Sequence, residues 1–316
     1  MIDQPSVDVI VPAKDAGDAI RPALEAVNNQ TYRDLGSVVV AASDSATAAV
    51  AKECGAVVVD NPTGRTPTGL NLALAQTTAE VIARVDAHAV IPPGYLARAV
   101  QVLTDTGADT VGGMQVPVGS TASEKAIAAA MSSRLGAGDA RYRIGGTAGP
   151  ADTVYLGVFL RSTLERLGGY DEHFDRNQDY ELNQRIRDSG GTVWFDPGLA
   201  VSYRPRGSLI ALARQYFDYG RWKREFVRRH PGSLRPRQLA PPLLVTGLFV
   251  TIIAGFWWPW AWLAVAAYVV VLALFGLCRL RSTGIGALLI PLALATMHSS
   301  WGLGFLLGRT GRGRTR

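Results

Sequence analysis

The sequence predicts an α/β domain on a largely parallel sheet, followed by a membrane-embedded C-terminal third. Three observations carry that prediction. Short β-rich runs alternate with helical stretches through the N-terminal part, the pattern of βαβ units. Apolar residues make up 48% of the 316 and charged ones only 18%, below the roughly 25% of an ordinary soluble domain. The charge is also divided. From Arg204 onward 16 Lys or Arg face only Asp218 and Glu225, a balance of +14, which leaves −8 for residues 1–203 within the total of +6. An acidic two-thirds joined to a basic, apolar third points to a soluble domain fused to a membrane segment and argues against a nucleic-acid binder.

In chain order, VDVIVPA predicts the first strand, residues 19–29 a helix, and SVVVAA the second strand. Residues 46–53 then read as a helix, AVVVD as the third strand, 68–76 as a helix and AEVIARVDA as the fourth strand. Ligands in such folds bind at the carboxyl ends of the strands. No GxGxxG follows the first strand and no GxxxxGK[ST] occurs, so dinucleotide and P-loop chemistry are not indicated. MIDQPSVDVIVPAKD lacks the basic start and long apolar run of a signal peptide, and the N-terminal domain is expected in the cytosol. Cys54 and Cys278 form no CxxC or zinc spacing, which fits a reducing compartment.

Beyond Arg237 there is no Asp or Glu, and three apolar runs follow: 239–258, 260–278 and 285–307. Each approaches the ~20 residues that cross ~30 Å of hydrocarbon as helix. Trp257, Trp258 and Trp260 around Pro259 form an uncharged aromatic turn, whereas Arg279 and Arg281 separate the second and third runs. The positive-inside rule therefore puts Arg237 and the Arg279 turn in the cytosol and the tryptophan turn outside. The third run conflicts with this rule, because one more crossing would carry Arg309, Arg312, Arg314 and Arg316 outside. Pro291 and the cluster His298, Ser299, Ser300 interrupt it, so a broken or re-entrant helix that returns the tail stands beside a full crossing. Ahead of the membrane, 209–229 mixes aromatics and bases at helical spacing. It is expected either to lie among anionic headgroups or to pack on the domain, and the two are compatible.

Two polar motifs suggest chemistry. Asp86-Ala87-His88 ends the fourth strand, and a carboxylate and an imidazole at i and i+2 can share a divalent ion that neutralises a diphosphate. FDRNQDYELNQRIRDSGG places Asp179 and Glu181 at the start of a helical pattern closed by Gly190-Gly191, where an Asp is also a common cap. Among Asp171, Glu172, Asp175, Asp179 and Glu181, Asp179 stands at the helix start, which fixes its position and favours its ionised form. Glu181, two residues on, is expected to point elsewhere.

Together, VIVPAKD, NPTGRTPTGLNLAL, RVDAH, YLGVFLRSTLERLGGYDEHFDRNQDYELNQRIRDSGG, QYFDYGRWK and the apolar C-terminal third resemble the family 2 glycosyltransferases. The closest resemblance within them is to the membrane-bound succinoglycan-type members. The resemblance implies a Rossmann-like GT-A domain over residues 1–205, a juxtamembrane interfacial region over 206–237 and a transmembrane region over 238–316. It implies an inverting, Mg²⁺- or Mn²⁺-dependent transfer of a sugar from a nucleotide-diphosphate donor, a UDP-sugar, to a lipid-linked saccharide at the inner face of the cytoplasmic membrane, in exopolysaccharide or cell-envelope glycan synthesis. Asp86 and His88 would be the metal-side residues and Asp179 the catalytic base. Donor contacts would come from Pro12, Asp15, Asp44, Arg65, Asn71, Arg84 and Asp86, and from Gln215, Arg221 and Trp222, which resemble a widely spaced Q-x-x-R-W element; membrane lipids would be further partners.

Two departures stand out. Ala41 and Ala42 occupy the end of the second strand, where the family has paired acids for the uracil, and the nearest acid is Asp44. Gln178 replaces the Glu that precedes the base; it keeps the hydrogen bonding and loses only charge, so activity is expected to survive. Transfer of a single sugar to polyprenyl phosphate and a catalytically degenerate membrane scaffold are the alternative readings. Retention of Asp86, His88 and Asp179 together argues against the scaffold.

Overall fold

The computed structural model describes residues 4–309; Arg312, Arg314 and Arg316 of the basic tail lie outside the described residues. Two compact units make up the chain. One runs up to Val116 and resumes over Gly145–Tyr203; the other joins Pro117–Ile144 to the residues from Arg204 onward.

In the first unit the elements begin as the alternation predicts: β1 (Val7–Ala13), a 3-10 turn (Gly17–Ile20), α1 (Arg21–Asn28), β2 (Leu35–Ala42), α2 (Ser45–Glu53), β3 (Val57–Asp60), α3 (Thr66–Leu74) and β4 (Val81–Arg84). Next come α4 (Tyr95–Thr106) and β5 (Thr110–Pro117). The chain then leaves for α5 (Ala122–Met131), α6 (Arg134–Ala137) and α7 (Arg141–Ile144) of the second unit. It returns with β6 (Gly149–Pro150), β7 (Tyr155–Leu160), α8 (Arg161–Leu167), α9 (Gln178–Asp188) and β8 (Val193–Tyr203). The eight strands form one sheet in the order β3-β2-β1-β4-β7-β5-β8-β6.

Strands β1 to β4 pair in parallel, and β7 then runs antiparallel to both β4 and β5. The residue types explain the central position of β1. Val7, Val9, Ile10 and Val11 are all buried, an apolar run interrupted only by Asp8, as a strand covered on both faces requires. Ile10, Val39 and Ile82 from three neighbouring strands share a core with Leu70 of α3, Leu182 and Ile186 of α9, and Phe195 of β8. That core fixes α9 against the sheet.

Asp8 breaks the apolar run for a reason. Its carboxylate is buried and accepts hydrogen bonds from the backbone of Ser37 at 2.6 Å, Thr78 at 2.7 Å and Ala79 at 2.9 Å, tying the starts of three strands together.

In the second unit, Thr121 and Glu124 form a reciprocal capping box at the start of α5. The Glu124 carboxylate also accepts from the Ser120 hydroxyl at 2.7 Å and from Arg204 Nε at 2.7 Å. These bonds, the Ser120 hydroxyl first, hold the carboxyl down to about 2. The capping box thereby joins the inserted segment to the start of the C-terminal one. Helix α10 (Leu209–Arg229) spans the residues predicted for it. Ser208 caps it, and Leu212, Tyr216, Trp222 and Phe226 lie on its buried face.

The remaining elements are α11 (Pro236–Ala254), α12 (Trp262–Cys278), α13 (Leu280–Thr283), a 3-10 stretch (Gly284–Leu289) and α14 (Ile290–Leu307). The spans Pro236–Ala254, Pro259–Cys278 and Leu280–Leu307 are long and apolar enough to cross a membrane. The third run differs from the expectation of a break between Pro291 and His298. Helix α14 is continuous through both, because Pro291 stands in its first turn, where no donor is lost. The interruption lies earlier, in the 3-10 stretch.

Asp8→Ala leaves three backbone N–H groups, that of Ala79 buried, without their acceptor. A loss of about 2–4 kcal/mol is expected, at roughly 1–3 kcal/mol per unsatisfied group with partial relaxation, read as a lower thermal midpoint in detergent. An unchanged midpoint would show that the strand starts do not depend on this carboxylate.

Candidate active site

The parallel strands end side by side, with Ala13 level with Ala42 and Ala42 level with Asp60. The loops leaving this edge carry most of the predicted residues. Pro12 is half-buried near the end of β1, and Asp15 follows in a turn with φ of +46°. The Asp15 backbone N–H donates to Ser43 Oγ at 3.1 Å. Asp44 caps α2: its carboxylate accepts the Thr47 hydroxyl at 2.7 Å and the Thr47 N–H at 2.8 Å, and these bonds hold it below the usual carboxylate range. The acid that sequence reasoning passed over is Asp60. It is exposed at the end of β3 beside Ala42, on the edge where the second strand lacks its acids. Only strand register reveals that neighbourhood.

Arg65 and Asn71 were expected to contact the donor; the structure commits both to the loop that leads into α9. Arg65 Nε pairs with Asp175 at 2.7 Å, and its guanidinium also donates to the Glu172 carbonyl. Asn71 Nδ2 donates to the Tyr170 carbonyl at 2.8 Å and its Oδ1 accepts the Tyr170 N–H at 2.8 Å. With Thr68 Oγ1 donating to Glu172 at 2.8 Å, α3 latches the GGYDEHFD loop in place.

Downstream of that loop, Asn177 takes φ of +63° and α9 starts at Gln178, which puts Asp179 in its first turn. Asp179 is therefore not the cap, and its carboxylate points to Arg84. Arg84, at the end of β4, is the hub of the site. Its side chain is 5% exposed; Nη2 and Nε reach Asp86 Oδ1 at 2.9 Å and 3.1 Å, and Nη1 donates to Asp179. The guanidinium thus bridges the predicted metal-side carboxylate and the predicted base. Its three hydrogen bonds all go to these protein carboxylates.

Electrostatics follow from this bridge. Burial pushes the Asp86 carboxyl up, and Arg84, helped by His88 and Tyr155, outweighs it and holds the group below the usual carboxylate range. Tyr155 Oη lies 3.4 Å from Asp86 Oδ2, and burial together with Asp86 raises its own titration well above that of a free tyrosine. Tyr170 is also buried, and its hydroxyl makes no hydrogen bond among the described residues. Burial, opposed by Arg84, pushes it up to about 12, so it stays a neutral donor. Both tyrosines were missed from the sequence, since YLGVF reads simply as a strand and GGY as a turn.

His88 follows Asp86 in the same turn and is exposed. Among the described residues no three His, Cys, Asp or Glu gather as a ligand cage. Asp86 Oδ1 is taken by Arg84, and Oδ2 faces only the Tyr155 hydroxyl. Asp86 and His88 therefore suit a hard divalent ion as a partial shell, completed by water and phosphate oxygens, which is how Mg²⁺ is commonly held. Of the other acids, Glu181 is buried and binds Arg185 with two bonds of 2.6 Å and 2.7 Å, a structural pair. Gln215, Arg221 and Trp222 lie on α10 in the second unit. There Gln215 Nε2 donates to Tyr219 at 2.9 Å, Arg221 Nε pairs with Asp218 at 3.0 Å, and Trp222 is buried.

A parallel half-sheet whose carboxyl edge carries an acid-His turn, faced by an acid on a helix start, is an arrangement of GT-A type. The family model Glycosyl transferase family 2 matches residues 8–168, half of the chain, and the chain belongs to that family of glycosyltransferases. It is 28% identical over 291 residues to the succinoglycan biosynthesis protein ExoA of Rhizobium meliloti (strain 1021), covering 91% of this chain and 88% of that protein. Among solved structures it resembles the mannosyltransferase PcManGT from Pyrobaculum calidifontis in complex with GDP-Man and Mn²⁺. There the TM-score is 0.61 at 21% identity, over 95% of this chain and 88% of the other, a likeness of fold.

Arg84→Ala leaves two carboxylates facing each other without their counter-ion. A loss of ~2–3 kcal/mol is expected, below the full cost of breaking a buried pair because Asp179 is a third exposed. Arg84→Lys keeps the charge but not the fork that reaches both acids, and should recover stability without recovering turnover. Thermal unfolding beside a transfer assay checks both; equal turnover of Arg84→Lys and the parent chain would remove the bridge from the mechanism.

Proposed function

We propose that this glycosyltransferase moves a sugar, with inversion, from a nucleotide-diphosphate sugar to a lipid-linked saccharide at the cytosolic face of the membrane, in exopolysaccharide or cell-envelope glycan synthesis. The observation that carries the reading is the shared guanidinium of Arg84, which holds the donor-side carboxylate Asp86 and the acceptor-side carboxylate Asp179 in one constellation. The ExoA relative supports the pathway class, and the GDP-Man and Mn²⁺ bound by the structural neighbour support a nucleotide-sugar donor with a divalent ion. A UDP-sugar is the proposed donor, and a GDP-sugar is its direct competitor in the test below.

In the proposed step Asp179 accepts the proton of the acceptor hydroxyl as that oxygen attacks the anomeric carbon from the face opposite the diphosphate. The bond between the anomeric carbon and the diphosphate oxygen breaks, and its electron pair leaves on the nucleotide. Asp86 and His88 would hold a divalent ion, which would supply electrostatic stabilisation of the charge that develops on the leaving diphosphate. Arg84 fixes both carboxylates relative to each other, and Tyr155 and Tyr170 are buried beside them. Gln215, Arg221 and Trp222 remain proposed donor contacts. In the membrane, α11 and α12 cross with Arg237 and Arg279 in the cytosol and the Trp257 to Trp260 turn outside, as the distribution of charge favours.

Membranes containing the protein are expected to release nucleoside diphosphate from one sugar donor of a UDP and GDP panel, only with Mg²⁺ or Mn²⁺ and a lipid-linked acceptor. Asp179→Asn should lower transfer by on the order of 10² to 10⁴ while donor binding persists. Asp175→Asn, which disturbs only an exposed pair with Arg65, should cost far less. Near-normal turnover by Asp179→Asn would move the base elsewhere.

A further inference from the structure

The third apolar segment has the composition of a membrane span, yet its contacts place both of its ends on one side. Helix α11 enters at Pro236 and α12 leaves at Cys278, with a short aromatic turn between them. In a hairpin these two ends share one face of the bilayer. The start of α14 lies at the exit of α12: a side chain added at Gly276 would come within 2.9 Å of Pro291 Cδ. The C-terminal half of α14 meets the first half of α11: a side chain at Gly302 would stand 2.6 Å from the Pro241 carbonyl oxygen. A crossing helix of 18 residues instead separates its ends by about 27 Å along the membrane normal.

Polar partners mark the same level along the helix. Arg224 of α10 donates to the Leu306 carbonyl at 2.8 Å, closing the last turn of α14. Gly304 packs so tightly on the Phe217 carbonyl that no side chain fits between them. At the middle, His298 Nε2 donates to the Leu135 carbonyl of α6 at 2.8 Å, and Asp139, just past α6, pairs with Arg237 in the first turn of α11 at 2.6 Å. Were α14 to cross, it would carry the charged face of α10 with it, including Asp218, Arg221 and Arg224, and hydrocarbon strongly disfavours that. His298 Nδ1 also accepts from Tyr268 Oη at 3.0 Å, midway along α12.

We propose that α14 is an in-plane helix embedded in the leaflet it starts from, that only α11 and α12 cross, and that Arg309 emerges on the side of Arg237. This rests on the reading that α11 and α12 form a spanning hairpin. The occupant of the outward face of α14, with Leu292 and Leu307 exposed, is the acyl-chain layer of that leaflet. The basic end then meets the anionic headgroups from the cytosolic side, as such segments do.

Single cysteines test this in a Cys54→Ser, Cys278→Ser full-length chain, using a membrane-impermeant maleimide on intact and on permeabilised cells. Pro231→Cys reports the entry of α11, Trp258→Cys the turn and Arg309→Cys the end of α14. Labelling of 258 alone in intact cells, with 231 and 309 reached only after permeabilisation, is the expected result. If 309 labels with 258 while 231 does not, α14 crosses and the proposal is overturned. If 258 labels with 231, the hairpin itself fails and the proposal falls with it. Protease protection of a C-terminal tag on the unsubstituted chain reads the side on which residue 309 emerges without depending on how a cysteine variant folds: cleavage from the outer face sinks the proposal, and protection supports it.

Discussion

A single buried guanidinium organises the catalytic unit. Arg84 stands at the end of β4, where the sheet changes from parallel to antiparallel pairing, and neutralises carboxylates that come from opposite directions in the fold. Asp86 arrives directly from the strand, whereas Asp179 arrives on α9 after a loop latched to α3. An uncompensated cation at this depth would be untenable, and so would two acids at this separation without it. The position of α9, of the GGYDEHFD loop and of the turn after β4 are thus mutually dependent.

The latch shows how the rest of the unit serves that hub. Asn71 and Arg65 lie in the stretch expected to touch the donor, yet their bonds go to Tyr170, Glu172 and Asp175. Through these bonds they hold the loop that delivers α9 with Asp179 in its first turn. A residue at the edge of a binding site can matter to catalysis without meeting the substrate, and here the intermediary is visible.

The parallel half of the fold was legible in the sequence because its signals are local. β1 coincides with VDVIVPA, and α10 with the amphipathic run from Leu209 to Arg229. Asp86, His88 and Asp179 were legible as a motif set, and Asp86 and Asp179 meet across Arg84. What remained hidden depends on register and on packing between distant segments. The place of β7 between β4 and β5 has no periodic signature, and nothing near Asp60 in the chain says that it ends level with Ala42. Tyr155 and Tyr170 looked like strand and turn residues because their role comes from the ion pair they surround. Hydropathy likewise reports that α14 is apolar, but not that Arg224 closes its last turn.

The second unit is discontinuous, since α5 and α6 are inserted between two strands of the catalytic sheet while their partners lie near the C-terminus. Ile127, Ala130 and Met131 on α5 are buried, and α5 packs on α14 and on the 3-10 stretch before it. A ribosome adding about 5–20 residues per second makes α14 on the order of ten seconds or more after α5. Through that interval α5 waits with an uncovered apolar face, and the second unit cannot close until α14 has been made. Completion of the second unit thus waits on the apolar helices, and a fragment cut before α11 would be released with a sticky, half-built surface.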